Sequence, residues 1–207
     1  MQVDLRGPSG LLEALYEEPA EPTFAAVVCH PHPLHGGTMH NSATYRLARA
    51  VRAAGGASLR FNFRGVGRSG GVYGAGQGEA DDVRAALDWV AARRADLPRF
   101  TCGFSFGAWM ALAAGCASGP IRGILAAGLA PGTFDLELVS HCGKPVAVVQ
   151  ADRDQLGSLD DVRALLAGAS APRRLWVVEG ATHLFAEDLD GLQRQAESGL
   201  SWLREQT

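Results

Sequence analysis

Short apolar runs recur along this chain, and segments of helical spacing lie between most of them. The runs are FAAVVCH (24–30), ASLRFNFRG (57–65), RFTCGFS (99–105), IRGILAAG (121–128), KPVAVVQA (144–151) and RRLWVVEG (173–180). The helical segments are TYRLARAVRAAGG (44–56), EADDVRAALDWVAARR (79–94), GAWMALAAG (107–115), SLDDVRALLAGA (158–169) and LDGLQRQAESGLSWLREQ (189–206). An alternation of this kind builds βαβ units, and hence a mainly parallel sheet with helices on both faces. The continuous apolar character of FAAVVCH and KPVAVVQA fits strands buried on both sides. Upstream, residues 2–6 and 11–16 alternate in polarity and are joined by GPSG, which predicts an antiparallel hairpin at one sheet edge. The expected architecture is an α/β sheet of about seven to eight strands, in one domain spanning 1–207, without repeat or linker.

In open parallel sheets the chemistry lies beyond the carboxyl ends of the strands. Those ends fall at residues 30–40, 64–70, 103–107, 128–135, 151–154 and 180–185. One of them reads Gly-Phe-Ser-Phe-Gly (103–107). With 26 glycines in 207 residues, the bare pattern carries little weight. Its position carries more. Ser105 stands between a predicted strand and a predicted helix, where a nucleophile elbow must lie. The turn there is too sharp for side chains at 103 and 107, and glycine removes the collision.

A serine hydroxyl needs a base, and the base needs an acid that fixes its tautomer. The candidate base is His183 in VVEGATHLF, just past a predicted strand. QADRDQ follows another strand and offers two acids, Asp152 and Asp154. Asp135 in APGTFDLE is a third possibility. The histidine- and glycine-rich loop in FAAVVCHPHPLHGGTMHN (24–41) can bring a backbone N–H opposite that of Phe106, to hold an oxygen that gains charge.

Five pieces together, HPHPLHGGTMHN (30–41), RFNFRGVGRSGG (60–71), GFSFG (103–107), QADRDQ (150–155) and EGATHLF (179–185), make the chain resemble the α/β-hydrolase superfamily over essentially its whole length. The subgroup it most resembles is the short, lidless bacterial serine hydrolases related to dienelactone-hydrolase and serine-aminopeptidase-like enzymes, which begin with an HPHP…GG loop. The resemblance implies an α/β-hydrolase fold with no cap domain and a Ser105, Asp154, His183 set. It places the acid three residues after a position that is glycine in the family and Ala151 here, leaving Asp152 as the alternative. It implies the N–H groups of Phe106 and His32 as oxyanion donors, since Pro31 has none.

The remaining expectations are mostly exclusions. A net charge of −3 without a basic stripe argues against a nucleic-acid partner. No apolar run of membrane-spanning length is present, and MQVDLRGPSG has no leader-like core, so a cytoplasmic location is expected. Cys29, Cys102, Cys116 and Cys142 lack CxxC spacing and are expected to be reduced. His30, His32, His35 and His40 lie in one loop without a carboxylate, so the expectation is no metal and no cofactor. Arg64 is expected to tie its loop to backbone carbonyls. Only GLAPGTFDLELVSHCG separates the strands where this fold inserts caps, which predicts an open site walled by residues 31–44 and 66–78. The expected activity is cleavage of small or short-chain carboxylic esters. A thioesterase, an acyltransferase or a perhydrolase with the same set, or a non-catalytic binding protein, are the other readings.

Overall fold

The computed structural model describes residues 1–206. Its sheet has eight strands: β1 (Gln2–Gly7), β2 (Gly10–Glu17), β3 (Phe24–Cys29), β4 (Gly56–Phe61), β5 (Arg99–Phe104), β6 (Ile121–Ala127), β7 (Val146–Ala151) and β8 (Arg173–Val178). Their order is β1-β2-β4-β3-β5-β6-β7-β8. The first two strands form the expected antiparallel hairpin, with Gly7 opposite Gly10, and β2 runs antiparallel to β4. Every other pairing is parallel.

The helices are α1 (Ser42–Ala53), α2 (Gln77–Arg93), α3 (Phe106–Ala117), α4 (Leu138–His141), α5 (Leu159–Ala167) and α6 (Leu189–Glu205). The alternation along each central strand divides the core. Ala25, Val27 and Cys29 of β3 pack with α2 and α3, whereas Phe24, Ala26 and Val28 pack with α1 and α6. That period of two explains why β3 reads as an unbroken apolar run: both of its faces are covered. No helix among the described residues is long and apolar enough to cross a membrane.

Strand order reverses at β3. The chain goes from β3 through α1 to β4 on one side, then through α2 to β5 on the other. β3 and β5 are therefore adjacent, with Cys29 opposite Gly103. A crevice must open beyond their carboxyl ends, because the two connections leave in opposite directions.

Three expectations need correction. The fourth strand ends at Phe61 and not at Gly65. Asn62 still donates its N–H to Glu13 O of β2, its side chain accepts from the Met39 N–H at 2.8 Å, and the regular pairing stops at Phe61. Arg64 does not bind carbonyls. Its guanidinium and its backbone N–H converge on the buried Asp82 carboxylate of α2, with Nη2 to Oδ1 at 2.7 Å. Finally, the thiols are not all reduced. Cys116, at the end of α3, is disulfide-bonded to Cys142, after α4, across a Cα–Cα distance of 5.2 Å. The partners are separated by 26 residues, and only the packing of α4 against α3 brings them together. Cys29 and Cys102 remain free and buried.

Candidate active site

Ser105 joins β5 to α3 with φ 55° and ψ −118°, a conformation that L-residues rarely adopt. Glycines on both sides make it possible. A Cβ at Gly103 would lie 2.0 Å from Gly107 O, and one at Gly107 would lie 2.4 Å from Cys29 O. The tight turn frees the serine hydroxyl from helix capping, and Ser105 is 8% exposed. Its carbonyl starts α3 by accepting from the N–H groups of Ala108 and Trp109.

The hydroxyl instead meets His183. Ser105 Oγ lies 2.9 Å from His183 Nε2, although 78 residues separate them. On the other side of the ring, Nδ1 lies 2.8 Å from Asp154 Oδ2 and 3.0 Å from Oδ1. Nδ1 faces only carboxylate oxygens there, so it carries the proton and leaves Nε2 to accept from the hydroxyl. His183 is held by its surroundings. Phe104 lies 5.4 Å from its ring, and Gly128, at φ +62°, passes beneath it where a Cβ would come within 3.4 Å of Cε1. The loop carrying it is closed by Thr182, whose N–H and hydroxyl donate to the Glu187 carboxylate. These donors hold the Glu187 carboxyl below the usual carboxylate range.

The Asp154 carboxylate is filled. Oδ1 also accepts from the N–H groups of Leu156 and Gly157, and Oδ2 from Gln150 Nε2 at 2.8 Å. Asp152 and Asp135 are both exposed, and neither hydrogen-bonds to the His183 ring. The structure therefore joins Ser105, His183 and Asp154, and leaves the other two acids outside. Gln150 was not anticipated. The available signal was a lone amide inside the buried run PVAVVQA, and a buried polar group requires partners.

The loop after β3 forms the facing wall. His30 is fully buried. It donates from Nδ1 to Pro31 O at 2.6 Å, and its Nε2 accepts from the Phe63 N–H at 3.0 Å. A neutral ring is the form that makes both bonds, and burial pushes its pKa down to about 4. His32 accepts from the Leu34 N–H at Nδ1, so Nε2–H donates to the Tyr73 hydroxyl at 3.1 Å. Burial, then the neighbouring His35, lowers its pKa. Gly37 closes the loop, with no room for a Cβ beside Pro31 O at 2.1 Å. Among the described residues, neither the His32 N–H nor the Phe106 N–H meets a hydrogen-bond acceptor. No group of three or more metal-ligating side chains occurs among the described residues.

Beside Ser105 lies an open cavity of about 280 Å³. Pro31, His32, His35 and Asn41 line one side, and Gln155, Leu156 and Leu184 the other. The expected second wall, residues 66–78, does not reach it. That segment backs the His32 loop through Tyr73, while the turn after Asp154 and the loop after His183 form the opposite side. A larger hollow of about 500 Å³ sits at the other end of the sheet, between Ala95–Arg99 and Arg122, with none of these groups in it.

The His30 geometry makes stability depend on pH. The unfolded ring takes its proton near pH 6.5, the folded one near 4. As pH falls through that window the unfolded chain binds the proton first, so stability is present above about 6.5 and is lost on the way to about 4. The loss amounts to about 3 kcal/mol. Urea midpoints measured from pH 7.5 to 4.5 should fall more steeply for the wild type than for His30→Gln. Equal slopes would remove His30 as the cause.

The comparisons with known proteins place the fold in a family. Residues 25–133 match the family model for serine aminopeptidase, S33 (Hydrolase_4). An uncharacterized protein of Rickettsia prowazekii is 34% identical over 194 residues, covering 89% of this chain and 82% of its own. The structure of an α/β serine hydrolase homologue from Coxiella burnetii is 33% identical, with a TM-score of 0.90 over 97% of both chains. A lidless α/β serine hydrolase from Xanthomonas campestris is also 33% identical, with a TM-score of 0.90 over 98% of this chain and 94% of that one. The chain belongs to this α/β-hydrolase family of serine hydrolases, and it shares the capless architecture: between β6 and β7 only the four-residue α4 is inserted.

Proposed function

We propose that this hydrolase cleaves small or short-chain carboxylic esters through an acyl-enzyme on Ser105. The observation that carries the reading is the unbroken chain of bonds from Ser105 Oγ to His183 Nε2, at 2.9 Å, and from His183 Nδ1 to the buried Asp154. Ser105 Oγ attacks the ester carbonyl while His183 Nε2 takes the hydroxyl proton. The carbonyl oxygen, now negative, is held by the N–H groups of Phe106, at the start of α3, and His32. Donors at a helix terminus cost no reorganisation as the charge develops. His183 passes its proton to the departing alcohol oxygen, the C–O bond breaks, and the acyl group stays on Ser105. A water molecule deprotonated by His183 then releases the acid and restores the serine. Asp154 orients the ring and stabilises its cationic form.

The cavity supports a small substrate. A volume of about 280 Å³, open to solvent and uncapped, gives a short acyl chain a surface to lie on but gives a long one little enclosure. Leu156 and Leu184, exposed at the rim, offer that surface.

The direct test is the intact mass of the protein after treatment with a fluorophosphonate. Wild type should gain one adduct, and Ser105→Ala none. A folded wild type that gains no adduct, or a mutant that gains the same one, would sink the reading. If the adduct forms, hydrolysis of p-nitrophenyl esters of increasing acyl length should be fastest at the short end.

A further inference from the structure

Gln150 is a buried amide in β7, where its neighbours are aliphatic, and its environment is unusually specific. Oε1 accepts from the Leu129 N–H at 2.8 Å, which fixes which end of the amide is nitrogen. Nε2 then faces three acceptors: Asp154 Oδ2 at 2.8 Å, Gly157 O at 2.9 Å and Leu129 O at 3.0 Å. Two N–H protons serve three oxygens, so at least one is shared. Each partner adjoins the acid–base pair. Leu129 follows Gly128, the residue under the His183 ring. Gly157 closes the turn whose N–H groups bind Asp154 Oδ1, and it packs so tightly on the segment after β6 that a Cβ would lie 2.0 Å from Leu129 O.

We propose that Gln150 is the positioning residue of this pair: its amide binds the segment after β6 at Leu129, the Asp154 carboxylate and the Gly157 turn into one unit that aims the acid at His183 Nδ1. The inference rests on the serine-hydrolase reading above. Gln150 touches no reacting atom and acts through Asp154. A plain core role would need only that its polar atoms be satisfied. Its bond to Oδ2 does more, because it draws charge from the same oxygen that His183 uses. Less of the carboxylate charge then faces the imidazole.

The test uses Gln150→Met, which removes the donor, and Gln150→Glu, which sets a second carboxyl against Asp154. Turnover of a short p-nitrophenyl ester is measured from pH 5 to 9 and divided by the fraction of protein that a fluorophosphonate labels. Per labelled site, kcat should fall about 10- to 100-fold, the size of loss typical when an outer hydrogen-bond partner that orients a metal-ligating side chain is removed. KM should stay within about threefold. The acid limb of kcat/KM should move to higher pH in Gln150→Met, because the donor to Oδ2 is gone and more negative charge faces the imidazolium; it should move less in Gln150→Glu, whose carboxyl faces three acceptor oxygens, keeps its proton and can still donate to Asp154.

A merely structural role would lower Tm and the labelled fraction but leave the per-site pH profile on that of the wild type, and this result would overturn the inference. Should neither variant fold, the Gln150 side-chain amide protons of the wild type serve instead. They should shift in the NMR spectrum when the Ser105 adduct forms and His183 changes protonation. Unmoved resonances would overturn the inference as well. Failure of the wild type to label is a different result: it removes the serine-hydrolase reading itself, and this proposal with it.

Discussion

Turnover of a short-chain ester should fall about 10⁶-fold in kcat when either Ser105 or His183 is changed to alanine, and the double variant should be no worse than either single one. The reason lies in the shared proton. Ser105 Oγ and His183 Nε2 are 2.9 Å apart with one proton between them, so each group is useless to the other's step once its partner is gone. Asp154→Asn should cost about 10⁴-fold, because an amide can present N–H to Nδ1, favour the wrong tautomer and direct a proton at the serine. Asp152→Asn, on an exposed side chain that does not hydrogen-bond to the His183 ring, should stay within about twofold of wild type. Pre-steady-state and steady-state rates on purified proteins check this set. Additive losses in the double variant, or a collapse on changing Asp152 and not Asp154, would contradict the mechanism.

The second large effect is on folding. Gly107→Ala should destabilise the protein by more than about 4 kcal/mol, and Gly103→Ala by a similar amount. At Gly107 the new methyl would sit 2.4 Å from Cys29 O and 2.5 Å from His30 O; at Gly103, 2.0 Å from Gly107 O. All of these neighbours are backbone, which cannot swing aside as a side chain would. Relief requires α3 to withdraw from β3, and that movement would also carry Ser105 away from His183. Gly132→Ala is the control, since a Cβ there meets nothing within 4 Å. It should change the urea midpoint by less than about 0.5 kcal/mol in free-energy terms. A folded Gly107→Ala variant with near wild-type stability would mean that the turn is looser than described.

What the sequence determined by itself was set by local periodicity and by steric exclusion. Apolar runs and helical spacing are properties of neighbouring residues, so the parallel sheet and its hairpin edge were legible before any coordinates, and with them the strand ends where the chemistry lies; that β3 and β5 are neighbours was not. The glycines at 103 and 107 were legible for a similar reason: only a residue without a Cβ fits a turn that tight. Ser105 and His183 could be named because each follows a strand; the same rule offered Asp152 and Asp154 together, and only the family resemblance preferred Asp154.

Tertiary structure decided everything that depends on distant segments meeting. Whether Asp152 or Asp154 faces His183 turns on how the 154–157 turn packs on the segment after β6, and no local pattern encodes it. Gln150 looked like one polar residue in an apolar strand until Leu129 and Gly157 were seen around it. Arg64 found a carboxylate on α2, 18 residues away, where its own loop had suggested carbonyls. The second wall of the cavity came from Leu156 and Leu184, because the 66–78 segment folds behind the His32 loop. The Cys116–Cys142 bond has the same origin: the spacing of the two cysteines carries no signal, and only the docking of α4 on α3 brings their Cα atoms to 5.2 Å. Local pattern fixes which elements form because it is repeated along each one; the partners of single polar side chains are chosen once, by packing.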